Sequence, residues 1–257
     1  MRLGNPAVRR YANKAECGGL GYSERKASYL GVYLKAALFA VITVIAAVLT
    51  EFMLLRAIAG EDAQALVGMG IGAAVGAVAL LIISLVIVFV PSTAKFLGFI
   101  YAAMQGGLLG ILTAFVDMIF PGIAFAAFIG TAIVFVVSII VNSVCRVVIS
   151  SNLLRGFLVA FASFAVLQLL MWILSMFGIF NFRAYIWIQL ACSALCIVWA
   201  TVMLFFDLNN IDYIVQTGAD KRYEWNVAFS LTTTLIYMYI EILELLVRLA
   251  AIFSSKN

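Results

Sequence analysis

Leu66–Val90 reads LVGMGIGAAVGAVALLIISLVIVFV: 25 residues with no charge and a single hydroxyl. A membrane-spanning helix needs about 20 consecutive apolar residues, so this stretch is long enough to cross a bilayer. Six further runs answer the same description: Val32–Leu55, Phe96–Val116, Pro121–Val141, Phe157–Phe177, Ile186–Phe206 and Ala228–Phe253. The breaks between them carry turn and polar residues. They are Gly60-Glu61-Asp62, Pro91-Ser92-Thr93, Asp117 with Pro121, the Asn142–Arg155 region, Gly178–Arg183 and the longer Gly218–Asn226 stretch. The expected fold class is an all-α membrane protein of seven transmembrane helices.

Composition supports that class. Of 257 residues, 66% are hydrophobic and only 11% are charged, with a mean hydropathy of +1.16. A soluble domain keeps about a quarter of its residues charged. This chain cannot cover itself in polar surface, so lipid must be part of its solvent. The sequence divides into a basic tail (1–28), a helical membrane domain (29–253) and a short C-terminal tail (254–257). No cleavable signal is expected ahead of the first apolar run, which begins near Val32 and is long enough to span.

The net charge of +4 is not a nucleic-acid footprint. Arg2, Arg9, Arg10, Lys14, Arg25 and Lys26 crowd the start of the chain, as a cytosolic topology signal does. With the N-terminus in the cytosol, inner segments carry these six plus Lys35, Lys95, Arg146, Arg155, Lys221 and Arg222. Outer segments carry Arg56, Arg183, Arg248 and Lys256. Twelve against four places the N-terminus inside and, after seven spans, the C-terminus outside.

Small residues recur every four positions at Gly68, Gly72 and Gly76, and again at Gly98, Ala102, Gly106 and Gly110. Such stripes let helix backbones approach closely in lipid, and both are read as packing faces. Cys17, Cys145, Cys192 and Cys196 form no disulfide framework. Cys192 and Cys196, four apart on one helix face, are also read as packing. With no histidine in the chain, imidazole metal sites and Ser–His or Cys–His catalysis are absent. No Gly-rich phosphate loop followed by Lys is present. The seventh run holds no lysine for a Schiff base. No cofactor or enzymatic activity is expected, and no metal ligands are assigned.

Polar residues inside apolar runs mark the site. Asp207 closes the run Trp199–Phe206, and Glu241 lies inside Leu235–Leu246. A carboxylate at the bilayer centre costs roughly 2.5–3.5 kcal/mol, so a chain that keeps one pairs it, protonates it or lines a wet path with it. Tyr237, Glu241, Glu244 and Arg248 follow steps of four, three and four and share one helix face. Glu244 and Arg248 suit an internal ion pair. Glu241 has no cation of its own nearby in sequence, with Arg248 and Lys95 the first partners to test. Asp207 and Asp212, with Asn209 and Asn210 between them, are either a solvated helix end or the lining of an inward-facing cavity.

These residues also carry a resemblance. Phe206-Asp207-Leu208-Asn209-Asn210-Ile211, Gly218-Ala219-Asp220-Lys221-Arg222-Tyr223-Glu224-Trp225 and Tyr239-Ile240-Glu241-Ile242-Leu243 resemble the C-terminal third of the Bax inhibitor-1 family (the transmembrane Bax inhibitor motif family). They are most similar to its bacterial branch. Asn5-Pro6-Ala7 resembles that branch's opening, and Ile100-Tyr101-Ala102-Ala103-Met104-Gln105-Gly106 its third helix. The resemblance implies a last helix enclosed by the other six. It also implies a carboxylate pair on helices six and seven that acts as a proton-sensitive latch on a calcium leak path. Asp207 and Glu241 match that pair, although many relatives carry Asp at the second position. Two departures stand out: the second run lacks the acid that relatives often carry, and Gln105 stands where Glu is common.

Two carboxylates close together in low dielectric tend to share one proton. That physics suits what the resemblance implies, and the expectation is a pH-sensitive cation leak pathway, for calcium, in the plasma or inner membrane. Asp207 and Glu241 would gate it, with Asp212, Tyr237, Glu244, Arg248 and Lys95 in support. The alternatives are a non-conducting regulator that binds a membrane protease or translocase, and a proton-coupled carrier. Expected partners are the lipid bilayer, calcium ions and, on the regulator reading, another membrane protein. Nucleic acid is not among them.

Overall fold

A computed structural model describes residues 26–145, 151–176 and 182–254. The tail cations Arg2 to Arg25, the Asn5-Pro6-Ala7 opening, Cys17, Arg146, Gly178, Asn181 and Lys256 lie outside the described residues. Among the described residues the chain forms seven α-helices and one short 3-10 turn. The helices are α1 (Tyr29–Ala59), α2 (Ala63–Phe89), α3 (Ala94–Ile119), α4 (Ile123–Cys145), α5 (Ser151–Met176), α6 (Phe182–Gln216) and α7 (Tyr223–Ser254). The 3-10 turn, Pro91–Thr93, occupies the expected second break.

Local chemistry explains the ends. Ser28 caps α1 by accepting a hydrogen bond from the Gly31 amide, and Asp62 caps α2 through the Ala65 amide at 3.0 Å. Gly122 and Gly218 adopt left-handed backbone (φ 85° and 64°) that glycine takes without strain, and they close the α3–α4 and α6–α7 turns.

Five helical segments are long and apolar enough to cross a membrane: Tyr29–Ala59, Ala63–Phe89, Pro91–Ile119, Ile123–Val144 and Trp187–Gln216. Within α5 the apolar stretch Val159–Ser175 is shorter. The last helix, α7, is not among the five, and Glu224, Glu241, Glu244 and Arg248 lie along it. Yet it is the best covered helix. Between Tyr223 and Ile252 only Glu244 is exposed. In α2, by contrast, only Leu80 and Ile87 are buried, and residues such as Leu81 and Phe89 present more than half of their surface. Apolar area of that extent is stable against lipid rather than water.

One expected boundary moves substantially. Reading the sixth span to Phe206 stops it at its first charge, whereas α6 continues to Gln216. The continuation is amphipathic: Leu204, Asp207, Leu208, Ile211 and Ile214 are all buried and recur at helical spacing. Asp207 is therefore a mid-helix residue at 4% exposure, and the solvated-end reading does not apply.

The helices divide into two units. Among the described residues, the first comprises those from Lys26 to Ala124 together with Asn210–Thr233. The second comprises Phe125–Asn209 and Thr234 onward, so that α6 and α7 each contribute to both. In the first unit α3 packs closely on α1. A Cβ at Gly106 would collide with the Thr43 carbonyl, one at Gly110 with the Ala47 carbonyl, and one at Gly98 would stand 2.7 Å from the Phe39 ring. That stripe packs as its spacing predicts. The Gly68–Gly72–Gly76 stripe does not: nothing lies within 4 Å of a Cβ at any of the three. Four-residue spacing puts small residues on one face but does not place a neighbour against it. Phe39 centres an aromatic cluster with Phe99, Trp225 and Phe229, at ring separations of 5.2–6.5 Å.

Candidate functional site: buried carboxylates and a polar cavity

In the second unit, α6 and α7 run antiparallel with two polar contacts that set their register. Toward the α6 C-terminus, the Thr234 hydroxyl donates to Asp207 Oδ2 at 2.5 Å. Farther along α7, the Tyr237 hydroxyl and the Cys196 thiol donate to the Glu241 carboxylate. Both acids are buried, Asp207 at 4% and Glu241 at 9% exposure.

This register separates them. Thr234 and Glu241 are seven residues apart on α7, which at 1.5 Å per residue is about 10 Å along the axis. Cys196 and Asp207, on α6, are eleven apart, about 16 Å. In this arrangement Asp207 and Glu241 occupy two successive levels rather than one shared site.

Glu241 faces a cavity of about 370 Å³. One wall is the α7 stripe of Tyr237, Glu241, Glu244 and Arg248. The other is Gln189, Ser193 and Cys196 of α6, and α5 adds Phe161, Phe164, Ala165 and Gln168. Gln168 Nε2 donates to Gln189 Oε1 at 3.3 Å. The expected Glu244–Arg248 ion pair is present at 2.7 Å. Arg248 also reaches α6, donating to the Gln189 carbonyl at 2.6 Å and to the Ser193 hydroxyl. Glu244 and Arg248 are the charged groups that act on Glu241. Two carboxylates against one guanidinium leave the cavity a formal charge of −1 when all three are ionised, a field that favours cations.

The remaining expected site residues stand elsewhere. Asp212 is half-buried in the first unit, where it acts electrostatically on the Tyr33 hydroxyl of α1. Lys95 is exposed at the start of α3, with its ammonium 5.5 Å from the Phe96 ring centroid. Gln105 lines a second, mostly apolar cavity of about 330 Å³ with Tyr101 and Ser84. Asn209, two residues beyond Asp207, has a buried side-chain N–H with no partner among the described residues, a natural place for water. No group of three or more Cys, Asp or Glu side chains stands at metal-ligating distance among the described residues.

Several members of the site were not read from sequence. Cys196, taken as packing, instead donates to Glu241 on the cavity wall. Gln189, Ser193 and Cys196 follow steps of four and three, the counterpart of the α7 stripe, and that periodicity was available. Thr234 had no local signal. Nor did the ion pair of the first unit. Glu224, with no exposed surface, accepts from Lys35 Nζ and, at 2.9 Å, from the Ser28 amide. The Lys35 ammonium lies 4.8 Å from the Trp225 ring. The Gly218–Trp225 segment is thereby tied to the start of α1, with the Ala27 amide bonded to the Ala219 carbonyl at 2.8 Å.

No curated protein and no solved structure is significantly similar to this chain. The family profile described as Bax inhibitor 1 like matches residues 5–251, from ahead of α1 to within the last turn of α7, and the chain belongs to that family.

Proposed function

We propose that this protein is a seven-span membrane protein, with its N-terminus cytosolic and its C-terminus outside, and that it forms a cation leak pathway for calcium in the plasma or inner membrane. The observation that carries the reading is Glu241: a buried carboxylate on a polar cavity between long helices. A carboxylate at membrane depth marks an ion or proton path. On this reading Asp207 and Glu241 are successive carboxylate stations rather than one proton-sharing dyad. Protonating either station removes its charge and with it the attraction for a cation. α7, too polar to meet lipid on every side, is enclosed by the other six helices. The protein does no catalysis.

The test is cation flux into liposomes containing only this protein, measured from pH 5 to 8, for the native chain and Glu241→Gln. Flux that varies with pH in the native chain and loses that variation in the variant supports the path. Absence of flux at every pH supports the second reading, a non-conducting regulator that binds a membrane protease or translocase. One observation favours that second reading: the Gly68–Gly72–Gly76 stripe of α2 has open space before it, as a helix-docking face would. Saturable, substrate-driven proton movement would instead indicate a proton-coupled carrier.

A further inference from the structure

We propose that the α5–α6–α7 cavity contains a seat for a guanidinium-type monocation and that Arg248 fills it with its own side chain, as a tethered blocker. The inference rests on the leak reading for its consequence, but the seat itself rests on geometry alone.

The Arg248 guanidinium is held by three oxygens of three kinds. They are the Gln189 backbone carbonyl at 2.6 Å, the Ser193 hydroxyl and a Glu244 carboxylate oxygen at 2.7 Å. Carbonyl, hydroxyl and carboxylate are the ligands that replace water around a cation. An ion pair with Glu244 needs only the neighbouring turn of α7. The bonds to Gln189 and Ser193, both buried, draw the head group across onto α6. The Gln189 carbonyl lies inside α6 and takes this bond on its second lone pair. Glu241, about two turns before Arg248 on α7, lines the same space and lies within electrostatic reach. The oxygens around the head group thus form a cation site whose occupant is covalently attached.

The identity of the occupant matters. A guanidinium does not lose its proton in a protein, so the plug cannot be removed by titration. It leaves only when the side chain swings away. Acid stations would then set how strongly cations are drawn in, while Arg248 sets whether the seat is vacant. Lysine would be a poor substitute, since a point charge cannot engage three oxygens in a planar fork.

The experiment is chemical rescue. Arg248→Ala vacates the seat, and free guanidinium ion at low millimolar concentration, against sodium at equal ionic strength, refills it. The expected result is a flux about tenfold above the native chain, within the usual range for coupling between two sites. Guanidinium should return that flux to the native level and leave the native protein unaffected. It should also raise the melting temperature of the variant and not of the native chain, because a ligand stabilises the state it binds. Arg248→Gln is read by the same two criteria should the alanine variant not fold.

A variant that conducts no more than a conducting native chain overturns the blocker. Guanidinium that fails to stabilise the variant selectively overturns the seat. Flux absent from both proteins at every pH overturns the leak reading instead, and selective stabilisation by guanidinium then decides the seat on its own.

Discussion

Replacing Lys35 by Met should destabilise the protein more than almost any other single surface-proximal change. The substitution keeps most of the side-chain volume and removes the cation. What remains is the Glu224 carboxylate, which has no exposed surface and retains the Ser28 amide as hydrogen-bond donor. Removing one partner of a buried ion pair costs about 3–5 kcal/mol, because the other charge is left without compensation. For a chain of this size each kcal/mol lowers the melting temperature by about 2–4 °C, so the expected loss is about 6–20 °C. Glu224→Gln in the Lys35→Met background removes the stranded charge while keeping an oxygen for the Ser28 amide. The double variant should therefore be more stable than Lys35→Met alone. Trp225, beneath the Lys35 ammonium, supplies a fluorescence signal for melting in detergent. A melting temperature within about 2 °C of the native value for Lys35→Met would show that Glu224 is reached by water and that the argument fails.

Three further outcomes follow from the packing and the register. Gly106→Ala and Gly110→Ala should lower thermal stability, because each new methyl meets α1 backbone, whereas Gly72→Ala should be near neutral. Equal melting temperatures for all three would mean that α1 and α3 are farther apart than described. Thr234→Val removes a donor to Asp207 and should cost about 1–3 kcal/mol, and Asp207→Asn combined with Glu241→Gln should show additive effects on stability, as sites on separate levels with no shared partner do. A coupling well above about 0.5 kcal/mol would instead reveal a state in which the two acids meet. Reporter fusions after Asn257 and within the Gly218–Asn226 loop should report opposite sides of the membrane, and same-side signals would remove the seven-span topology.

Much of this protein was legible without coordinates because its governing signals are local. Hydropathy over about 20 residues marks a helix that lipid accepts, and Gly60-Glu61-Asp62, Pro91 and Gly218 break helices through their own backbone chemistry. Glu244 and Arg248 pair because four residues bring side chains together on any α-helix. Hydropathy misled where burial by protein replaced burial by lipid. It ended α6 at Phe206, although the helix continues to Gln216. What spacing could not reveal was which faces meet. Two glycine stripes of equal period behave differently: α1 lies against Gly106 and Gly110, and nothing lies against Gly72. Asp207 and Glu241 sit on neighbouring helices, but the slide of α6 along α7 assigns one to Thr234 and the other to Cys196. Lys35 and Glu224 are 189 residues apart and meet only in the folded chain. Amino-acid order determined the helices and their chemistry, because backbone hydrogen bonding and transfer from water act within a segment. Tertiary structure alone decided the register and the neighbours, because those are set by side chains from distant segments competing for the same space.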